Sequence, residues 1–247
     1  MLAACKLNAM EHIRKNKFFA LLLTLVVLCV GSSPIHEDDP RFVSFITPYS
    51  NIKMYWKDTR KQPLKSIQNL KSFVESTGHE LRFAMNGGMF EKDNSPKGLF
   101  IEAGEMQAPL DARSGEGNFY LKPNGVFFVT TDSAGICETS AFPFTMSMQY
   151  ATQSGPLLLI DGQTHPAFVK GSTNLNIRNG VGILPDKRVL FAMSKQEINF
   201  YDFAEFFKSQ GCKNALYLDG FVSRTYLPEK EWRQLDGNFG VLIGVMK

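Results

Sequence analysis

The chain has 247 residues, of which 44% are hydrophobic and 21 are phenylalanine, against a charged fraction of 21%. This composition excludes a disordered chain and supports one well-filled core, with too few residues for two large ones. The formal charge of +3 belongs to the N-terminus: four of the 27 basic and one of the 24 acidic side chains lie in residues 1–31, so 23 of each sign remain. That balance gives no support to nucleic-acid binding, which rests on clustered basic charge.

Lys6, Arg14, Lys15 and Lys17 precede an uncharged run over residues 18–30, and Gly31, Ser32 and Ser33 follow it. A basic start, an apolar stretch and small residues at its end predict an export signal or membrane anchor over residues 1–33. The run of 13 residues is short for a bilayer-spanning helix, which needs about 20. Membrane contact is therefore expected through this segment alone, and the destination is periplasmic or extracellular. Cys29 follows Val26, Val27 and Leu28, which lack the small side chains that usually precede a lipidated cysteine.

Residues 34–40, with His36, Glu37, Asp38 and Asp39 between two prolines, read as a linker to a domain over 41–247. Residues 41–46 and 52–56 read as opening strands, the second alternating apolar and polar positions. Ile67, Leu70, Phe73 and Val74 share one helical face, which predicts a helix over 66–77 stopped by Gly78. A strand follows at 81–85. From 98 to 160 short apolar runs are broken by Gly, Pro, Asn and Asp, a pattern of antiparallel or mixed sheet rather than βαβ repetition. Phe203, Phe206 and Phe207 predict a second helix over 200–210 with Gly211 as its stop, and a strand over 215–218 comes next. The expected fold class is α+β: a mixed, largely antiparallel sheet packed with a few helices in a single domain.

Two segments about 130 residues apart end an apolar strand on one polar side chain and then turn on glycine: Asn86-Gly87-Gly88 and Asp219-Gly220. Such a rim can present a carboxamide or carboxylate where missing Cβ atoms let a ligand reach the backbone. The same sequences are favoured two-residue hairpin turns, so both readings stand at this level. A third segment, Asn176-Ile177-Arg178-Asn179-Gly180, brings the opposite charge.

These segments, with Gly98-Leu99-Phe100-Ile101-Glu102-Ala103-Gly104, Asn124-Gly125-Val126 and Gln153-Ser154-Gly155-Pro156 in order between them, resemble the phosphodiester glycosidase domain family. The resemblance implies a hydrolase that cleaves a sugar from a phosphodiester, with a sugar-phosphodiester or envelope glycan as substrate. It implies Asp219 as the carboxylate at the anomeric carbon and Arg178 as the cation at the phosphate. Asn86, Asn179, Gly87, Gly88, Gly220, Ser154, Gly155 and Ser223 are its expected substrate contacts. Glu102 is the candidate second carboxylate, or a solvated hairpin residue; His165 is a candidate acid or base, or a fixed loop residue. After Gly220 the family often has more glycine and serine, whereas Phe221, Val222, Ser223 and Arg224 stand here.

A departing phosphate monoester is a weak base, so the reaction needs little proton donation and no cofactor. A divalent cation between Asp219, Asn86 and phosphate oxygens can be accommodated without being required, and no paired-histidine metal motif or phosphate-binding P-loop is present. A metal-dependent phosphodiesterase and a non-catalytic carbohydrate-binding module are the alternative readings. Beyond the leader, Cys137 and Cys212 are the remaining thiols, and they can pair in an oxidising compartment if they lie within bridging distance.

Overall fold

Side chains of alternating character give period-two strands along most of the chain, and the computed structural model describes them over residues 39–247. The leader expected over 1–33 and most of the linker lie outside the described residues. One sheet contains, in spatial order, β1 (Phe42–Thr47), β12 (Val189–Ser194), β11 (Asn179–Ile183), β13 (Ala215–Asp219), β9 (Leu157–Ile160) and β10 (Gln163–Thr164). A second runs β15 (Trp232–Arg233), β14 (Thr225–Leu227), β3 (Leu81–Asn86), β16 (Leu242–Met246) and β2 (Ile52–Tyr55). The third runs β5 (Glu105–Ala108), β4 (Phe100–Glu102), β8 (Met148–Ser154), β6 (Gly125–Thr130) and β7 (Ala134–Glu138).

The expected single mixed sheet is therefore three sheets, and all their strand pairs are antiparallel. The reason is coverage. Strands such as β3 and β12 are apolar on both faces, and two helices cannot cover both faces of one large sheet, so the sheets cover one another. Phe83, Phe127, Phe191, Leu216 and Ile243 meet in a core drawn from all three sheets.

The helices close two outer faces. Helix α1 (Ile67–Ser76) lays Ile67, Leu70 and Val74 against Leu81 and Leu242, while α2 (Phe200–Ser209) lays Phe203, Phe206 and Phe207 against Leu158 and Ala215. Each begins on a side-chain cap: Ser66 Oγ accepts the Asn69 N–H, and Asn199 Oδ1 accepts that of Asp202. Each is followed by a left-handed glycine, Gly78 at φ 80° and Gly211 at φ 83°. Cys137 packs on the outer face of the third sheet and Cys212 beneath α2, so the two thiols sit in separate clusters and form no disulfide. Among the described residues no helix is long and apolar enough to cross a membrane.

Candidate active site

Long-range pairing extends two strands by one residue beyond the sequence expectation and makes that residue polar. Asn86 ends β3 opposite Leu242 of β16, and Asp219 ends β13 opposite Asn179 of β11, where the register shifts. The three polar side chains thereby meet. Asn179 Nδ2 donates to Asn86 O and Asn86 Oδ1 at 2.9 Å each. Asn86 Nδ2 donates to Asp219 Oδ2 at 3.1 Å, and the Gly220 N–H donates to Asp219 Oδ1 at 2.7 Å.

Backbone donors fix the sense of this network, because an N–H cannot accept. The Arg224 N–H points at Asn86 Oδ1 at 3.0 Å, so that atom is the oxygen; the Asp219 N–H points at Asn179 Oδ1 at 2.8 Å, with the same consequence. Asn86 must therefore present its NH₂ to residue 219, which has to accept there. Both carboxamides are fully buried. They position Asp219, and Asn179 has no face left for a substrate.

The serines predicted to touch substrate serve the same end. Ser154 Oγ donates to Leu218 O at 2.8 Å, and Ser223 Oγ donates to Gly220 O at 2.7 Å, so both hydroxyls hold the backbone around Asp219. The glycines are spent on close packing. A Cβ on Gly88 would stand 2.6 Å from Thr152 Oγ1, one on Gly220 1.9 Å from the Tyr217 hydroxyl, and one on Gly155 2.7 Å from Phe119 O. Gly87 donates its N–H to Val241 O, so that amide is not offered to a ligand.

Asp219 itself remains partly exposed at the rim. Removal of its carboxyl from water is the main influence on it, outweighing the Gly220 and Asn86 hydrogen bonds, and pushes its pKa up to about 6. Arg178 is close by but enclosed, with 0% exposure. Its Nε donates to Ile198 O at 2.8 Å, its Nη2 to Asn174 O at 2.9 Å, and its guanidinium lies 3.6 Å over the Phe200 ring. Nη1 has no partner in hydrogen-bond geometry; the nearby Tyr217 hydroxyl, which also faces Asn118, is the polar group beside it. Burial lowers the pKa of Arg178 and raises that of Tyr217. The expected open fork for a phosphate is thus a cation already committed to backbone carbonyls and an aromatic face.

Two predicted residues are not brought to Asp219. His165 is buried and stacked on Phe168, which stacks in turn on Phe200; its Nδ1 accepts the Ala167 N–H at 3.1 Å, and burial lowers its pKa. Glu102 ends β4 beside a two-residue turn, Ala103 and Gly104, both at positive φ. Its neighbours are Trp56, Lys57 and Lys61, and burial raises its pKa to about 7. It borders cavities of about 370 and 500 Å³, neither lined by Asp219. A further cavity of about 530 Å³, against Gly98 and Asp111, lies on the side of β8 from which Gln153 projects. Among the described residues no three His, Cys, Asp or Glu side chains gather as a metal cage.

Sequence reasoning missed Tyr217 and Asn118. Tyr217 carried a signal, since it stands two residues before Asp219 on the same strand. Asn118 carried none, for only the fold of the 111–123 loop brings it to the Tyr217 hydroxyl. Phe221 to Arg224 is not a loose substitution for glycine: the Arg224 N–H orients Asn86, and its Nε meets Asp236 at 2.9 Å.

In this antiparallel β protein a desolvated carboxyl fixed at a sheet rim defines a candidate catalytic site. Residues 79–241, which include Asn86, Arg178 and Asp219, match the model of the phosphodiester glycosidase family, and the chain belongs to that family. It is 35% identical over 225 residues to the uncharacterized protein YigE of Escherichia coli K12, covering 89% of this chain and 88% of that one. In structure it is similar to the catalytic domain of zebrafish N-acetylglucosamine-1-phosphodiester alpha-N-acetylglucosaminidase, auto-inhibited by its pro-peptide. The TM-score is 0.57 at 15% identity, over 87% of this chain and 86% of that one. A hypothetical protein from Synechocystis is similar at TM-score 0.51 and 12% identity, over 83% of this chain and 59% of its own. The two structural likenesses are likenesses of fold.

Proposed function

We propose that this protein hydrolyses a glycosyl phosphodiester at the bond between the anomeric carbon and the bridging oxygen, with Asp219 facing that carbon. The observation that carries the reading is a carboxyl held by Asn86 and the Gly220 N–H yet desolvated to a pKa of about 6, in a chain of the phosphodiester glycosidase family. The zebrafish enzyme is named for a substrate of this kind.

Water supplies the new oxygen on the sugar carbon, and the electrons of the broken C–O bond leave with the phosphate monoester. Asp219 acts as nucleophile or as the base that takes the water proton. Most glycosidases need a second carboxyl to protonate an alkoxide leaving group; a phosphate monoester departs without that help. The separation of Glu102 from Asp219 agrees with this chemistry. In this reading Arg178 acts from behind, through the field it places on the Tyr217 hydroxyl, rather than as a direct fork on the phosphate.

Hydrolysis in isotopically heavy water tests the bond cleaved. Label is expected in the sugar hydroxyl; label in phosphate would support the phosphodiesterase alternative and overturn this one. Because only ionised Asp219 can act, kcat/KM is expected to rise with pH through about 6 and then level. A fall across that range would remove Asp219 as base or nucleophile. Binding of glycans with no sugar released from any glycosyl phosphodiester would leave the carbohydrate-binding module. Export is proposed on the leader pattern of Lys6 to Ser33, and a reporter fused after residue 40 that stays in the cytosol would overturn it.

A further inference from the structure

We propose that Phe221 is the stacking platform for a pyranose ring at the catalytic rim, a contact that helps select a sugar-bearing substrate. The inference rests on the hydrolase reading for its setting, and on the geometry of one turn for its content. Gly220 to Ser223 is closed by the Ser223 N–H donating to Gly220 O at 2.7 Å, and the Ser223 hydroxyl donates to the same oxygen. The turn is thus pinned at both ends: Gly220 by its N–H to Asp219 Oδ1, and Arg224 by its N–H to Asn86 Oδ1. Phe221 and Val222 occupy its corner. Val222 turns inward and packs with the cluster under α1, whereas the Phe221 side chain is 87% exposed.

What sets Phe221 apart from the other exposed apolar side chains is its place, two residues from the carboxyl proposed to face the sugar, where its open face is free to meet a ligand. The backbone that carries the ring is fixed by the same hydrogen bonds that hold Gly220 to Asp219 and Arg224 to Asn86, so the ring is tethered within reach of the carboxyl. A pyranose presents one face of C–H groups that can cover an aromatic ring, while its hydroxyls stay free for the polar rim. Inorganic phosphate has no such face. The chemical class that fits is a hexose attached to phosphate, with the ring of Phe221 beneath the sugar and not beneath the anion.

The test splits KM from kcat. Phe221→Ala is expected to raise KM for a glycosyl phosphodiester by about tenfold with kcat changed little, since the stack is present before and during reaction. Phe221→Tyr, which keeps an aromatic face, is expected to restore KM. In the Phe221→Trp variant, emission is expected to change on adding a panel of hexose 1-phosphates but not inorganic phosphate, measured against the parent with its own Trp56 and Trp232. Unchanged KM in Phe221→Ala, or an equal fluorescence response to phosphate alone, would overturn the platform while leaving the hydrolase reading in place. A fluorescence response to hexose phosphates in a protein that turns over no substrate would do the reverse.

Discussion

Asp219→Asn is expected to lower kcat/KM by about 10³ to 10⁵ while making the protein more resistant to unfolding at neutral pH. The catalytic loss follows because a carboxamide can neither attack a sugar carbon nor accept a proton from water. Stability has its own sign. A carboxyl held at about 6 in the fold, against its ordinary 3.8, favours the folded state when protonated, below about pH 4. That advantage is lost as the pH rises through about 6. The difference amounts to about 3 kcal/mol. Asparagine never ionises, so the stability of the variant relative to the parent is expected to climb between pH 4 and 7 in parallel denaturant titrations. Part of the gain is offset, because the Asn86 NH₂ cannot turn away from position 219 while the Arg224 N–H holds its oxygen. The new amide must set an NH₂ against it or give up the Gly220 N–H, at about 1–2 kcal/mol. A stability difference flat with pH would show that Asp219 is not the desolvated carboxyl described here.

Asn179→Ala is expected to be the most damaging change among the buried residues that hold Asp219 in place. It removes the acceptor of the Asp219 N–H and the donor to Asn86 O and Oδ1 in one step. Buried groups left without partners cost about 1–3 kcal/mol each, so a loss of about 3 kcal/mol in unfolding free energy is expected. With its clamp gone, Asp219 is expected to lose about 10² in kcat/KM even at low temperature where the variant is folded. A merely structural role would leave the pH profile of the surviving activity unchanged. The positioning role described here predicts that its inflection near 6 moves, since the Asn86 hydrogen bond and the burial that set Asp219 both depend on Asn179.

The elements whose stability is local were legible in the sequence. Helix α1 runs between a serine cap and Gly78 as its apolar spacing indicates, and α2 ends at Gly211 for the same reason. The division into three sheets was not legible, because it depends on which apolar face covers which. At the site, Asn86, Asn179 and Asp219 could be nominated from glycine-flanked strand ends and from the family resemblance. Their division of labour could not. Ser154, Ser223 and Arg178 read as ligand contacts, yet each finds a backbone carbonyl first: Leu218, Gly220 and Ile198 respectively.

The sequence by itself determined the helices, most strand positions and the family, and it nominated Asp219, because these rest on short-range periodicity and on motifs whose order survives in one dimension. Tertiary structure alone decided that Glu102 borders cavities Asp219 does not line, that Arg178 is enclosed, and that Phe221 is left in water. The hydrogen bonds that gather Asn86, Asn179 and Asp219 join residues 93 and 133 positions apart, and at such separations a side chain's partner is set by strand register and sheet packing. A polar side chain at a sheet rim is claimed by the nearest unpaired carbonyl or amide the fold brings within about 3 Å, and only what that competition leaves over is free to act on a substrate.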